Sequence, residues 1–288
     1  MDLPRKYKNG LEVRETLIGG YIKMKTKSRI ASILKASSLD FSITGLQTFN
    51  LSVLNLTTDL EFQLPTNIRL GHLAEKIVSE LIKSSTNYRV LYENVQVIQD
   101  KKTIGEIDFI IEDIHKKELI HMELAYKFYL FDPNLSSEPI NNWIGPNRND
   151  SLKEKLEKLK RKQFPLLYHN CAKSIFNKIA IGEASQALCL LVSLFIPYEY
   201  KAGFNPIYEK AIKGYYFNFE AFTSFDNSAK TYYLPSKKEW GMDPSENEIW
   251  TGFKGVEKYI STSIKEKQAP LCWQKYNDSY VAFFIVWW

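Results

Sequence analysis

The sequence is short of the residues that build cysteine frameworks and histidine metal sites: 288 residues hold three cysteines and four histidines. Cys171, Cys189 and Cys272 are far apart, odd in number and without a CxxC spacing. That weighs against a disulfide scaffold and a cysteine zinc site, and it points to a reducing compartment. Long apolar runs are missing too. The longest, Ala187–Pro197 and Val281–Trp288, fall far short of the ~20 residues that span a bilayer. The opening MDLPRKYKNG lacks the apolar core of a secretory signal, so a cytoplasmic protein is expected. No Walker A sequence, no GxGxxG and no Ser, Cys or His triad pattern is present.

What remains has the balance of an ordinary globular protein, 44% hydrophobic and 25% charged, with 14% aromatics. The net charge of +5 is unevenly spread. Residues 1–35 hold nine Lys/Arg against Asp2, Glu12 and Glu15, a local +6. Arg148–Lys162 holds seven against Asp150, Glu154 and Glu157, a local +4. Such excess suits a polyanion. Pairs such as Lys153–Glu157 equally suit a solvated helix face.

Apolar positions from Leu70 to Ile82 keep helical spacing. A strand is expected near Leu51–Leu56, another over Tyr88–Gln99, then a turn at Asp100–Lys102. Two runs of period-two alternation follow. In Ile104–Glu112, Ile107, Phe109 and Ile111 share one face, and Glu106, Asp108, Ile110 and Glu112 the other. In Leu119–Phe131, His121, Glu123, Ala125, Lys127 and Tyr129 lie opposite Ile120, Met122, Leu124, Tyr126, Phe128 and Leu130. The short polar link between the runs predicts an antiparallel hairpin. A loop at Asp132–Asn149 precedes a basic helix from about Asp150 to Gln163, stopped by Pro165. Beyond it a helix is expected near Cys171–Lys178, with strands at Leu188–Ile196, Lys213–Phe222 and Tyr280–Trp287.

The hairpin carries the chemistry. Paired, its strands bring Asp108, Glu123 and Lys127 to one patch. Two carboxylates suit a hard cation such as Mg²⁺, which keeps several waters, and an ammonium beside it can orient water or phosphate. Asp108 is expected to be an exposed ligand, and the bland alternative for both acids is an exposed sheet position. Glu75, at the polar edge of the preceding helix, lies within reach of the same cation. Glu106 shares the face of Asp108 and is the alternative ligand. His72 and His121 are read as structural, and the bland alternative for Lys127 is a salt bridge with Glu123.

Glu75 in a helix, then Gly105-Glu106-Ile107-Asp108-Phe109, then His121-Met122-Glu123-Leu124-Ala125-Tyr126-Lys127 resembles the PD-(D/E)XK nuclease superfamily. More narrowly, it resembles a bacterial domain-of-unknown-function family assigned to that superfamily. The resemblance continues through Trp143-Ile144-Gly145-Pro146-Asn147, Gln163 with Pro165 and Leu166, Lys213-Gly214 and Tyr233–Trp240. It implies an α/β fold, a central mixed β-sheet flanked by helices (a restriction-endonuclease-like core), and Mg²⁺- or Mn²⁺-dependent cutting of phosphodiesters. It further implies Asp108, Glu123 and Glu75 as metal ligands and Gln163 as the glutamine some of these nucleases place on a later helix. The usual acid-x-Lys spacing is broken: Ala125 stands where Lys is expected, and Lys127 arrives about 6–7 Å further along the strand at ~3.3 Å per residue.

The sequence therefore predicts a DNA-directed metal-dependent nuclease. Glu75, Asp108, Glu123 and Lys127 form its active site, and Asn147, Arg148, Lys153, Lys155 and Gln163 contact nucleic acid. The alternative is a catalytically weak or inactive nucleic-acid-binding protein on the same fold. The expected organisation is a basic segment over 1–64 packed on the core, the core over 65–200, and a β-rich extension of the same domain over 201–288.

Overall fold

The alternating runs between residues 88 and 131 form an antiparallel meander at one edge of a ten-stranded mixed sheet. The computed structural model describes residues 26–57, 60, 62–65, 67–225 and 227–288, so most of the basic opening lies outside the described residues. The first strand is a short pairing, β1 (Ser37–Ser38); then come β2 (Tyr88–Gln99), β3 (Lys102–Asp113) and β4 (Glu118–Phe131). Asp100 and Lys101, at φ 49° and 62°, make the two-residue turn between β2 and β3. Two consecutive positive φ values match the right-handed twist of a hairpin.

β3 pairs antiparallel with β4 from Asp113–Glu118 to Phe109–Met122. On its other edge β4 lies parallel to β6 (Ser185–Pro197), from Ile120 to Leu130. β6 is buried on both faces, which explains its unbroken apolar run. β5 (Trp143–Ile144) pairs with Leu130 and Phe131 of β4, and Ile144 also bridges Ser151. The sheet continues from β6 through β7 (Ile212–Asn218), β10 (Ser279–Val286), β9 (Leu271–Tyr276) and β8 (Thr231–Tyr233). The chain after residue 200 thus extends the same sheet.

Helices cover both faces. α1 (Leu70–Lys83) buries Leu73, Ala74, Ile77, Val78, Leu81 and Ile82 against Phe109, Met122 and Leu124. On the other face α2 (Leu152–Lys158) continues through a π-helical turn at Leu159–Gln163 into a helical turn at Phe164–Leu166. Leu152, Leu156, Leu159 and Phe164 pack on Ala125, Tyr129, Leu188 and Leu190. α3 (Asn170–Ile175) and α4 (Phe253–Lys265) complete the cover. No helix among the described residues is long and apolar enough to cross a membrane.

Four local expectations are corrected. Leu51–Val53 is a 3₁₀ turn rather than a strand, because the Asn50 side chain takes the Ser52 N–H and caps it. The strand expected to Phe222 ends at Asn218, whose side chain accepts from Ala221 N–H and starts a helix over Phe219–Ser224. The basic helix does not stop at Pro165. Its π turn bonds Phe164 N–H to the Leu159 carbonyl, five residues back, and the chain stays helical through Leu166. Finally, Ile107 packs with Ile110 against Leu166 and Leu167, apart from Phe109 and Ile111. The alternation breaks at Asp108, opposite Asn94 with its φ of 53°.

Candidate active site

Asp108 and Glu123 stand where β3 stops pairing with β4, one step beyond Phe109–Met122. Side chains replace the ladder here. Asp108 Oδ2 accepts the Leu124 N–H at 2.8 Å, and the Asp108 N–H donates to the Glu123 carboxylate. Each acid therefore holds the opposite strand, which fixes the pair on rigid sheet.

Neither acid is exposed. Asp108 is 8% exposed and Glu123 is fully buried, which corrects the expectation of an exposed ligand at Asp108. Glu123 Oε2 accepts from Gln163 Nε2 at 2.5 Å, and Gln163 Oε1 accepts from Lys155 Nζ at 3.2 Å. Glu123 Oε1 lies 3.0 Å from His121 Nε2. Burial pushes both carboxyls above the usual carboxylate range. For Asp108 the repulsion of Glu123 adds to it, while the Leu124 N–H and Lys155 act in the opposite direction. Lys155 also opposes the rise at Glu123, where Glu106 and Glu75 reinforce it. Burial lowers the Lys155 pKa, against the pull of the two acids.

His121 is close enough to Glu123 to count as an ion pair by distance. Burial, however, drops its pKa to about 4, so near neutrality the contact is a hydrogen bond to a neutral imidazole. Among the described residues the Nδ1 of His121 has no hydrogen-bond partner, and its ring packs edge-on against Phe164.

The structure separates the expected site residues into two groups. Asp108, Glu123, Gln163 and Lys155 converge, with Glu75 and Glu106 as electrostatic neighbours. Glu75 itself bonds His72 at 2.9 Å. Lys127 pairs with Asp150 at 2.6 Å, not with Glu123. Asp150 can lie there because Gly145 has no side chain; a Cβ on Gly145 would sit 2.0 Å from Asp150 Oδ1. Of the expected nucleic-acid contacts, Asn147 bonds Gln268 and the Ala269 N–H, and Arg148 bonds Asp132 and lies over Trp288. Lys155 and Gln163 turn inward to the acids, and Lys153 alone of the five is exposed on α2 without such an engagement.

His121 had a visible signal, since it shares the face of Glu123 two residues earlier. Lys155 had none. Its approach to the acids depends on how α2 and its π turn cross the sheet.

The donor set suits a hard divalent cation. Two buried like charges with oxygen donors are relieved by such an ion. Among the described residues no three His, Cys, Asp or Glu side chains converge as a metal-holding group.

No curated protein and no solved structure matches the chain. The family model described as "Domain of unknown function (DUF1853)" matches residues 26–280, and the chain belongs to that family.

Proposed function

We propose that the protein is a metal-dependent phosphodiesterase acting on nucleic acid, DNA first, built on a PD-(D/E)XK-like site. The observation that carries this reading is the convergence of Asp108, Glu123, Gln163 and Lys155 at the point where β3 leaves β4. Asp108 and Glu123 would hold Mg²⁺ or Mn²⁺, with Glu75 in its field. Such a cation, when bound, polarises the phosphate and favours deprotonated water. Gln163 and His121 hold both oxygens of Glu123 and fix its orientation. Lys155 takes the role the sequence gave to Lys127: its ammonium acts on both acids and offsets charge developing on phosphate. Three free cysteines, two of them buried, suit work in the cytoplasm.

A second reading, binding without cutting, is favoured by the capture of Lys127 by Asp150 and the full burial of Glu123. One experiment separates the two. Purified protein is incubated with labelled single- and double-stranded DNA in Mg²⁺, Mn²⁺ or EDTA, beside Asp108→Asn. Metal-dependent product from the parent that the variant does not form supports cleavage. Binding with no product in either metal leaves the second reading.

A further inference from the structure

β4 has a gap in one edge. β3 pairs with it only as far as Met122, and β5 only at Leu130 and Phe131, while β6 occupies the other edge throughout. The Leu124 N–H points into the gap, where Asp108 takes it. By the two-residue repeat of a strand, the N–H groups of Tyr126 and Phe128 point the same way. A groove of about 670 Å³ lies here, bounded by Arg69 beside α1, Pro146 and Asn147 beyond β5, and the Lys237–Trp240 turn. Its charge is one-sided: Arg69, Lys127, Lys237 and Lys238 line it with Asp150 as the single acid. It adjoins the acid pair along β4: Tyr126 and Lys127, which line it, follow Glu123 and Leu124 on the strand, and the Leu124 N–H is bonded to Asp108.

We propose that this groove seats the sugar–phosphate backbone of one unpaired nucleic-acid strand and leads it to Asp108 and Glu123, which makes single-stranded nucleic acid the substrate class. The inference rests on the nuclease reading and adds the form of the substrate. Cations and outward backbone N–H groups are what bind phosphates without reading sequence. The burial of the acids selects between strand forms. An intact duplex is a stiff body whose major groove alone is about 12 Å wide, and it cannot bring a phosphate to a carboxylate covered by Gln163 and Lys155. A single strand bends and can enter the groove.

The test is fluorescence anisotropy in EDTA, with a labelled single strand and its duplex as probes. Wild type is compared with Arg69→Ala/Lys237→Ala and with Lys254→Ala/Lys258→Ala on α4; all four side chains are exposed. Wild type is expected to prefer the single strand by about tenfold or more, the groove variant to lose about tenfold, and its log–log salt slope to fall by about 1.4 for two lost contacts. The α4 variant is expected to stay within about threefold, with the salt slope nearly unchanged. Equal affinity for the two probes, or a groove variant that binds like wild type, overturns the proposal. Cleavage assays keep the two readings apart. Metal-dependent cutting of duplex and single strand alike sinks the groove alone; groove-dependent binding with no product in any metal sinks the nuclease reading alone.

Discussion

Replacing Asp108 with Asn is expected to make the metal-free protein more stable, not less. The two acids are buried together, and both hold their protons to higher pH than in the unfolded chain. Between the ordinary carboxylate range and neutrality the folded state therefore binds more protons than the unfolded one. Stability falls as pH rises through that interval, and the penalty is fully present above the folded-state values. Like charges about 4 Å apart at an effective dielectric near 20 repel by about 4 kcal/mol. Losing the attraction of Lys155 and the charge-assisted part of the Leu124 bond returns roughly 2 kcal/mol of that. A net gain of about 2 kcal/mol raises Tm by about 4 °C in a chain of this size. Saturating Mg²⁺ at a hundredfold over Kd is worth about 2.7 kcal/mol to wild type, or about 5 °C, and nothing to the variant. Scanning fluorimetry at pH 5 and pH 8, with and without Mg²⁺, reads all of this. A variant that melts below wild type at pH 8 without metal, or one that gains the same Tm from Mg²⁺, refutes the reasoning.

The two lysines make a contrast. Lys155→Ala is expected to lower kcat by about 100-fold or more with little change in KM, as loss of a group acting on the transition state does. Lys127→Ala, already paired with Asp150, is expected to change kcat by less than about tenfold and to act mainly on binding; the reverse order in steady-state kinetics sinks the reassignment. Gly145→Ala is expected to cost about 1–3 kcal/mol, because the new Cβ collides with Asp150 Oδ1. Denaturant melts measure it, and an unchanged midpoint shows that the loop yields freely.

The parts of this fold that were legible in the sequence are those fixed by local period. α1 and the β2–β3–β4 meander follow from spacing alone, and the pairing of Asp108 with Glu123 follows from two alternating strands and a short link. Asn50 and Asn218 overrode the period by capping short turns, which alternation cannot reveal. Burial of the acids was not legible, because it is imposed by α2 and its π turn, far along the chain. The same distance hid Lys155. Four residues after Glu123, Lys127 looked like its partner, but Asp150 reaches it across the gap left by Gly145. β9 and α4 were not anticipated: β9 is short and mixed in pattern, and α4, though 13 residues long, buries only Val256 and Ile260, a thin apolar face.

The π turn has a consequence for chain length. One residue added to or removed from a regular α-helix rotates everything downstream by about 100° and so scrambles every contact beyond it. In this helix the wider turn at Leu159–Gln163 already stores such an extra residue. It works as a phase shifter between Lys155, set by the packing of Leu152 and Leu156, and Gln163, set by Phe164 and Leu166. Deleting one residue from the turn would leave the helix intact and its helical propensity nearly unchanged, yet would swing Gln163 off Glu123 and Phe164 out of the core. The number of residues between the two side chains is thus as much a part of the site as the side chains themselves, and a variant without the extra residue would have to draw its glutamine from another position.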